Sequence, residues 1–199
     1  DTNLDDVRIT GSTENTIIRI DDEGVSAGSL TIDVDKTGDG IAGPNDVVDF
    51  VLNLSDDTSV IELNLGEGND TVVYSLSDHL QGSTRDLLID LGGGLDSFTF
   101  DPNVKNIESS SVLSFDVLAG AGKDSLEIEF RKVIGSSINL DVSLGGGSDF
   151  CLLGFKGGAE INADASVQAD IDLGNGNNDL TLLLDCDVGV TGQGTLDID

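Results

Sequence analysis

Leu91-Gly-Gly-Gly-Leu-Asp-Ser-Phe-Thr-Phe100 is one of five near-copies of a single phrase. The others are Leu65-Gly-Glu-Gly-Asn-Asp-Thr-Val-Val-Tyr74, Ala119-Gly-Ala-Gly-Lys-Asp-Ser-Leu-Glu-Ile128, Leu144-Gly-Gly-Gly-Ser-Asp-Phe-Cys-Leu-Leu153 and Leu173-Gly-Asn-Gly-Asn-Asn-Asp-Leu-Thr-Leu182. Each has an apolar residue, then Gly-x-Gly-x-Asp, then x-apolar-x-apolar, with Asn178 standing for Asp in the last copy. Apolar residues recur at every second position on both sides of the glycines, as Leu63 and Leu65 do before Asp70, and Val72 and Tyr74 after it. Alternation on either side of a Gly-rich turn predicts strand, turn, strand, with one face buried. Glycines two apart supply positive φ and allow backbones to approach closely.

Asp70, Asp96, Asp124, Asp149 and Asn178 lie 26, 28, 25 and 29 residues apart. A repeat of that length is the mark of a solenoid, in which each coil buries what it cannot bury alone. The reading is therefore an all-β chain, a parallel right-handed β-solenoid of about six coils with Gly-rich turns, forming a single domain over residues 1–199. The alternative is an antiparallel β-sandwich, because Ser55-Asp-Asp-Thr58 and Leu65-Gly-Glu-Gly68 would also close hairpins. In a solenoid the aspartates stack about 4.8 Å apart. Like charges at that spacing repel by about 1 kcal/mol in water and several-fold more when half-buried.

The phrase resembles a diverged form of the Gly-Gly-x-Gly-x-Asp-x-apolar-x calcium repeat of RTX (hemolysin-type) proteins. In that family the Asp carboxylate and carbonyls of the glycine region hold calcium between stacked turns. The resemblance thus implies calcium at Asp70, Asp96, Asp124 and Asp149. It departs from the family in the first glycine, which is Leu or Ala here, and in a period about three times longer. The same Asp also suits an Asx-type turn with no ion.

Ahead of the five copies, Leu30, Ile32 and Val34 alternate, and Val48 and Phe50 sit two and four residues beyond Asp46. Between them the short turn is replaced by Asp35-Lys-Thr-Gly-Asp-Gly-Ile-Ala-Gly-Pro-Asn-Asp46, an enlarged sixth copy. This segment resembles the EF-hand loop, which implies calcium held by Asp35, Thr37, Asp39, the Ile41 carbonyl and Asp46, with Gly40 at the sharp bend. It has Asp rather than Glu at the last position and lacks flanking helices.

Nine Lys and Arg against 38 Asp and Glu leave a net charge of −29, which argues against nucleic acid and anionic membrane surfaces as partners. The 38% apolar content is too high for a merely solvated acidic chain. No apolar run is long enough to span a bilayer, and the absence of methionine points to a mature form or an excised segment. Acidity together with calcium-style turns suits a secreted or cell-surface location, where calcium is plentiful. Cys151 falls in a core column and Cys186 out of phase, leaving a buried thiol or a coil-to-coil disulfide as the two readings.

Nothing in the chain reads as a catalytic constellation. His79 has no neighbouring metal-ligating partner in sequence, no Gly-x-Ser-x-Gly occurs, and Arg8, Arg19, Arg85 and Arg131 are scattered. Phe98, Phe100 and Phe115 fall on inward positions. Segments 76–86 and 101–111 vary in length and are expected as loops opposite the glycine turns, and Ile161 to Leu173 as one long strand or a bent pair. The functions compatible with this are a calcium-stabilised structural module, an adhesive or ligand-binding module, and a β-helix polysaccharide-active enzyme, the first by elimination. At the ends, Asp5-x-Val7-x-Ile9 reads as a post-turn half repeat and Leu196-x-Ile198 as a pre-turn half. Joined, they nearly complete one repeat, so self-association head to tail, or stacking on neighbouring modules of a longer chain, is expected.

Overall fold

The computed structural model describes residues 6–10, 17–23, 28–33, 47–53, 58–76, 79–162, 164–188 and 195–198, with side chains between residues 60 and 187. It is an all-β solenoid of about five turns, every strand pairing being parallel. A pre-turn sheet stacks Asp6–Thr10, Gly28–Asp33, Thr58–Asn64, Thr84–Asp90, Val112–Leu118, Ser137–Ser143, Ser166–Asp172 and Thr195–Ile198. A post-turn sheet stacks Ile17–Glu23, Val47–Asn53, Thr71–Leu76, Ser97–Asp101, Ser125–Ile134, Phe150–Asn162 and Asp179–Val188. Between them the glycine turns form their own ladder of two-residue strands, Glu67–Gly68, Gly93–Gly94, Ala121–Gly122, Gly146–Gly147 and Asn175–Gly176. The antiparallel sandwich is thereby excluded, since the residues on either side of Leu65-Gly-Glu-Gly68 enter different sheets.

Alternation fixes what faces inward, and register stacks like on like. Val72, Phe98, Leu126, Cys151 and Leu180 form one column, and Tyr74, Phe100, Ile128, Leu153 and Leu182 the next. From the opposite sheet, Leu63, Ile89, Val117, Val142 and Ile171 face them. Aromatic rings run along the axis, with Tyr74–Phe100, Phe100–Phe130 and Phe130–Phe155 centroids 5.3, 5.5 and 5.4 Å apart. Phe115 crosses from the pre-turn sheet to within 5.0 Å of Phe100. Burial of each such side chain contributes about 1.5–3 kcal/mol, which opposes the large ordering entropy of the chain.

The glycines are required by the stacking. Gly92 and Gly120 have φ of +88° and +90°. A Cβ on Gly92 would lie 1.7 Å from the Gly66 carbonyl oxygen, and one on Gly120 1.6 Å from that of Gly92. Each turn is thus pressed on the turn beneath it, at a separation only glycine permits.

Two sequence readings need correction. Residues 76–86 and 101–111 are not wholly loop: Leu80–Gln81 and Ile107–Glu108 are short strands stacked beneath Val133–Ile134, and Thr84 to Asp86 already belong to the pre-turn sheet. Residues Asp6–Thr10 pair with Gly28–Asp33 in the pre-turn sheet rather than forming a post-turn half repeat. The post-turn place is taken by Ile17–Glu23, where Ile18 and Ile20 stand beside Val48 and Phe50. Alternation is the same for both kinds of strand, so it could not assign the sheet. The first and last described strands therefore lie in one sheet, and the two ends are not complementary halves of a repeat. Of the two readings of Ile161 to Leu173, the structure shows the bent pair, broken at Asp164, whose φ is +67°.

Candidate functional site

The ladder formed by Asp70, Asp96, Asp124, Asp149 and Asn178 is the most ordered polar feature of the solenoid. Each residue closes a glycine turn just before the post-turn strand, and the turn folds its side chain back along the stack. The Asp70 N–H donates to Asp96 Oδ1 at 2.8 Å, the Asp96 N–H to Asp124 Oδ1 at 2.9 Å, and the Asp124 N–H to Asp149 Oδ1 at 2.9 Å. The Asp149 N–H completes the series at Asn178 Oδ1, again at 2.9 Å. All four aspartates are buried, with 1–2% of their surface exposed. The structure thus brings together four of the nine residues expected to bind metal. The other five, Asp35, Thr37, Asp39, Ile41 and Asp46, lie outside the described residues.

The rung donors can be compared with what calcium requires, six to eight oxygens at about 2.3–2.6 Å. At Asp96, Asp124 and Asp149, Oδ1 already accepts an N–H. The Gly66, Gly92, Gly120 and Gly145 carbonyls accept from Gly93, Ala121, Gly146 and Asn175, and the Gly94 and Gly147 carbonyls from Lys123 and Asn177. Oδ2 of Asp96, Asp124 and Asp149 has no partner and is closed off from solvent. Among the described residues no three His, Cys, Asp or Glu side chains converge. This donor set does not fit a calcium ion: coil-to-coil N–H groups already bond Oδ1 and the glycine carbonyls, leaving Oδ2 of Asp96, Asp124 and Asp149 as one open oxygen per rung, short of the six to eight that calcium takes. The Asx-type reading of the turn is corrected as well: the aspartate serves a backbone amide, but one of the neighbouring coil rather than of its own turn.

Burial pushes the Asp96 carboxyl up to about 6, against the lowering effect of the Asp70 N–H and with further raising by Asp124 and Glu67. The Asp124 carboxyl is pushed up to about 6 in the same way, burial opposed by the Asp96 N–H and reinforced by Asp149.

Sequence reading missed a second ladder at the opposite corner. The Ser83 N–H donates to Ser111 Oγ at 3.4 Å and the Ser111 N–H to Ser136 Oγ at 3.1 Å. Both hydroxyls also donate, Ser111 Oγ to the Glu108 carbonyl at 2.7 Å and Ser136 Oγ to the Ile134 carbonyl at 3.1 Å. These serines repeat at 28 and 25 residues, the same intervals as Asp96, Asp124 and Asp149. That shared spacing was the signal available in the sequence. At the same corner the residues before the serines, Gly82, Ser110 and Gly135, all have positive φ.

Arg85 is a second surprise, fully buried beside Tyr74. It shares the inward parity of Leu87 and Ile89, which marks it as interior despite its charge. Burial raises the Tyr74 hydroxyl to about 12, partly offset by the Arg85 guanidinium. His79 Nδ1 accepts the Asn106 N–H at 2.9 Å, so that lone pair serves the stack. Both cysteines are free, Cys151 beneath Leu180 and Cys186 beside Ala159, which settles the disulfide question in favour of thiols. Burial pushes the Cys151 thiol up to about 11, so it behaves as a core side chain.

Set beside known protein families, curated proteins and solved structures, the chain matches none of them.

Proposed function

We propose that the chain is a structural, calcium-stabilised β-solenoid module of a secreted or cell-surface protein, stacked on a further module or on a second copy of itself. The observation that carries this reading is the state of the coil at Asp179–Val188. The core columns run out to the surface there: Leu182 and Leu184 are 39% and 51% exposed, whereas Leu153 and Phe155, their register partners in the coil beneath, are 1% and 0% exposed. An apolar rung at the end of a stack is what a further coil would cover, since each solenoid repeat buries its neighbour's face. The strongly acidic surface favours a partner of this kind over nucleic acid.

Sedimentation of the 199-residue chain tests the stacking. Self-association is expected, and Leu182→Asp/Leu184→Asp is expected to abolish it while leaving the fold intact. A chain that stays monomeric at high concentration, with no change on substitution, counts against a second copy as the partner and leaves only a neighbouring module.

Calcium in this reading belongs to Asp35–Asp46. The described strands flank that segment, with Asp33 beside Asn64 before it and Val47 beside Thr71 after it. Calcium at a hundredfold excess over its dissociation constant is expected to stabilise the chain by about 2.7 kcal/mol. Asp39→Asn is expected to remove most of that gain. Calorimetric titration after chelation checks this, and no heat with an unchanged melting midpoint contradicts it.

A further inference from the structure

The two kinds of ladder follow one rule, and the aspartates break half of it. Ser111 and Ser136 each accept an N–H from the coil beneath and donate to a carbonyl of their own coil. Asn178 does the same at the last rung of the acid ladder: its Oδ1 accepts the Asp149 N–H and its Nδ2 donates to the Leu173 carbonyl. Asp96 and Asp124 have the accepting oxygen but no donor, and their second oxygen, the counterpart of Asn178 Nδ2, is buried without a partner. An ionised carboxylate only accepts, whereas a protonated one has an O–H to give. A buried polar atom left without a partner is costly.

We infer that the folded chain holds a proton on Oδ2 of Asp96 and of Asp124, making the ladder a proton-binding stack whose occupancy sets the stability of the solenoid. By analogy with Asn178, whose amide reaches the Leu173 carbonyl five residues before it, the O–H is expected to reach the carbonyls of Leu91 and Ala119, which hold that position in their own coils. This does not depend on the module reading or on calcium elsewhere in the chain.

The charged surroundings favour the neutral form. Asp96 faces Asp70 and Asp124 in the adjoining coils and Glu67 in the turn beneath, and Asp124 faces Asp96 and Asp149. The other charged side chain of the five turns is Lys123, which is exposed. On the inner side stand Leu91, Phe98, Ala119 and Leu126, with the buried thiol of Cys151 one rung further along. Both carboxyls sit near 6, above the 3.8 of a free aspartate. The sign follows from linkage: proton uptake stabilises the fold fully below the free value of 3.8, and that contribution falls steadily as pH rises from there, being lost above about 6.

The test compares Asp96→Asn/Asp124→Asn with Asp116→Asn/Asp141→Asn, an exposed pair in register on the pre-turn sheet that removes the same charge. For the wild-type chain the folding equilibrium constant is expected to fall by about tenfold or more between roughly pH 5 and pH 8, beyond general charge repulsion. The ladder variant is expected to lose that step and to be more stable than wild type at the upper pH, while the surface variant keeps the step. Retention of the full step by the ladder variant, or lower stability than wild type at the upper pH, overturns the inference. So does a calcium-dependent gain there that wild type shows and the ladder variant lacks. Should the ladder variant not fold, carboxyl carbon NMR of the wild-type chain decides: two buried aspartates titrating above the rest support the inference, and titration with the bulk overturns it.

Discussion

Gly120→Ala is expected to destabilise the chain by about 3–6 kcal/mol through the addition of a single methyl group. Three costs combine. An L-residue at φ +90° loses roughly 1–2 kcal/mol in a left-handed conformation. The new Cβ would stand 1.6 Å from the Gly92 carbonyl oxygen and 2.7 Å from its carbon, so two coils must part, and such overpacking costs about 1–3 kcal/mol. The same oxygen accepts the Ala121 N–H at 3.0 Å, a bond worth about 1 kcal/mol that parting would break. Gly146→Ala is the control, because nothing lies within 4 Å of a Cβ built there. Urea unfolding of the two variants compares them directly. A cost for Gly120→Ala within about 1 kcal/mol of the control would mean the turns are not in backbone contact.

Phe98→Ala is expected to cost about 3–5 kcal/mol. The ring is fully buried in the middle of its column, between Val72 and Leu126, and meets Phe115 edge-on at 5.8 Å. Three rows of side chains bound the hole, and the parallel ladders on both sides hold their backbones apart, so the cavity cannot collapse. By contrast, Asp116→Asn on the outer face is expected to change stability by no more than about 0.5 kcal/mol. A Phe98→Ala cost near that of the surface change would contradict the column. Because each coil contacts only its neighbours, the damage should be local, and hydrogen exchange is expected to rise first in the coils carrying Val72 and Leu126.

The architecture was legible because it is written five times. The recurrence of Gly-x-Gly-x-Asp at one phase, with apolar residues at fixed offsets, favoured the parallel stack over the antiparallel sandwich and gave the inward columns and the neighbours of Phe98. The register even extends to Val48 and Phe50, which stand beside Val72 and Tyr74 as their spacing from Asp46 implies. The interior place of Arg85 was equally present in the alternation, but its charge argued the other way. The serine corner escaped because Gly82, Ser110 and Gly135 share a backbone conformation and not a residue type.

What the sequence determined by itself is therefore the repeat, the parity of each strand and the need for glycine in the turns, since these depend on local sterics and on which face is apolar. Which sheet received Asp6–Thr10, and which group met each buried carboxyl, was decided only by the stacked coils. An aspartate after Gly-x-Gly is an equally good ligand for a cation, for its own turn or for a neighbour's amide. The chain formula ranks none of these. Coil spacing does, by presenting one N–H to Oδ1 and closing Oδ2 of Asp96 and Asp124 away from water.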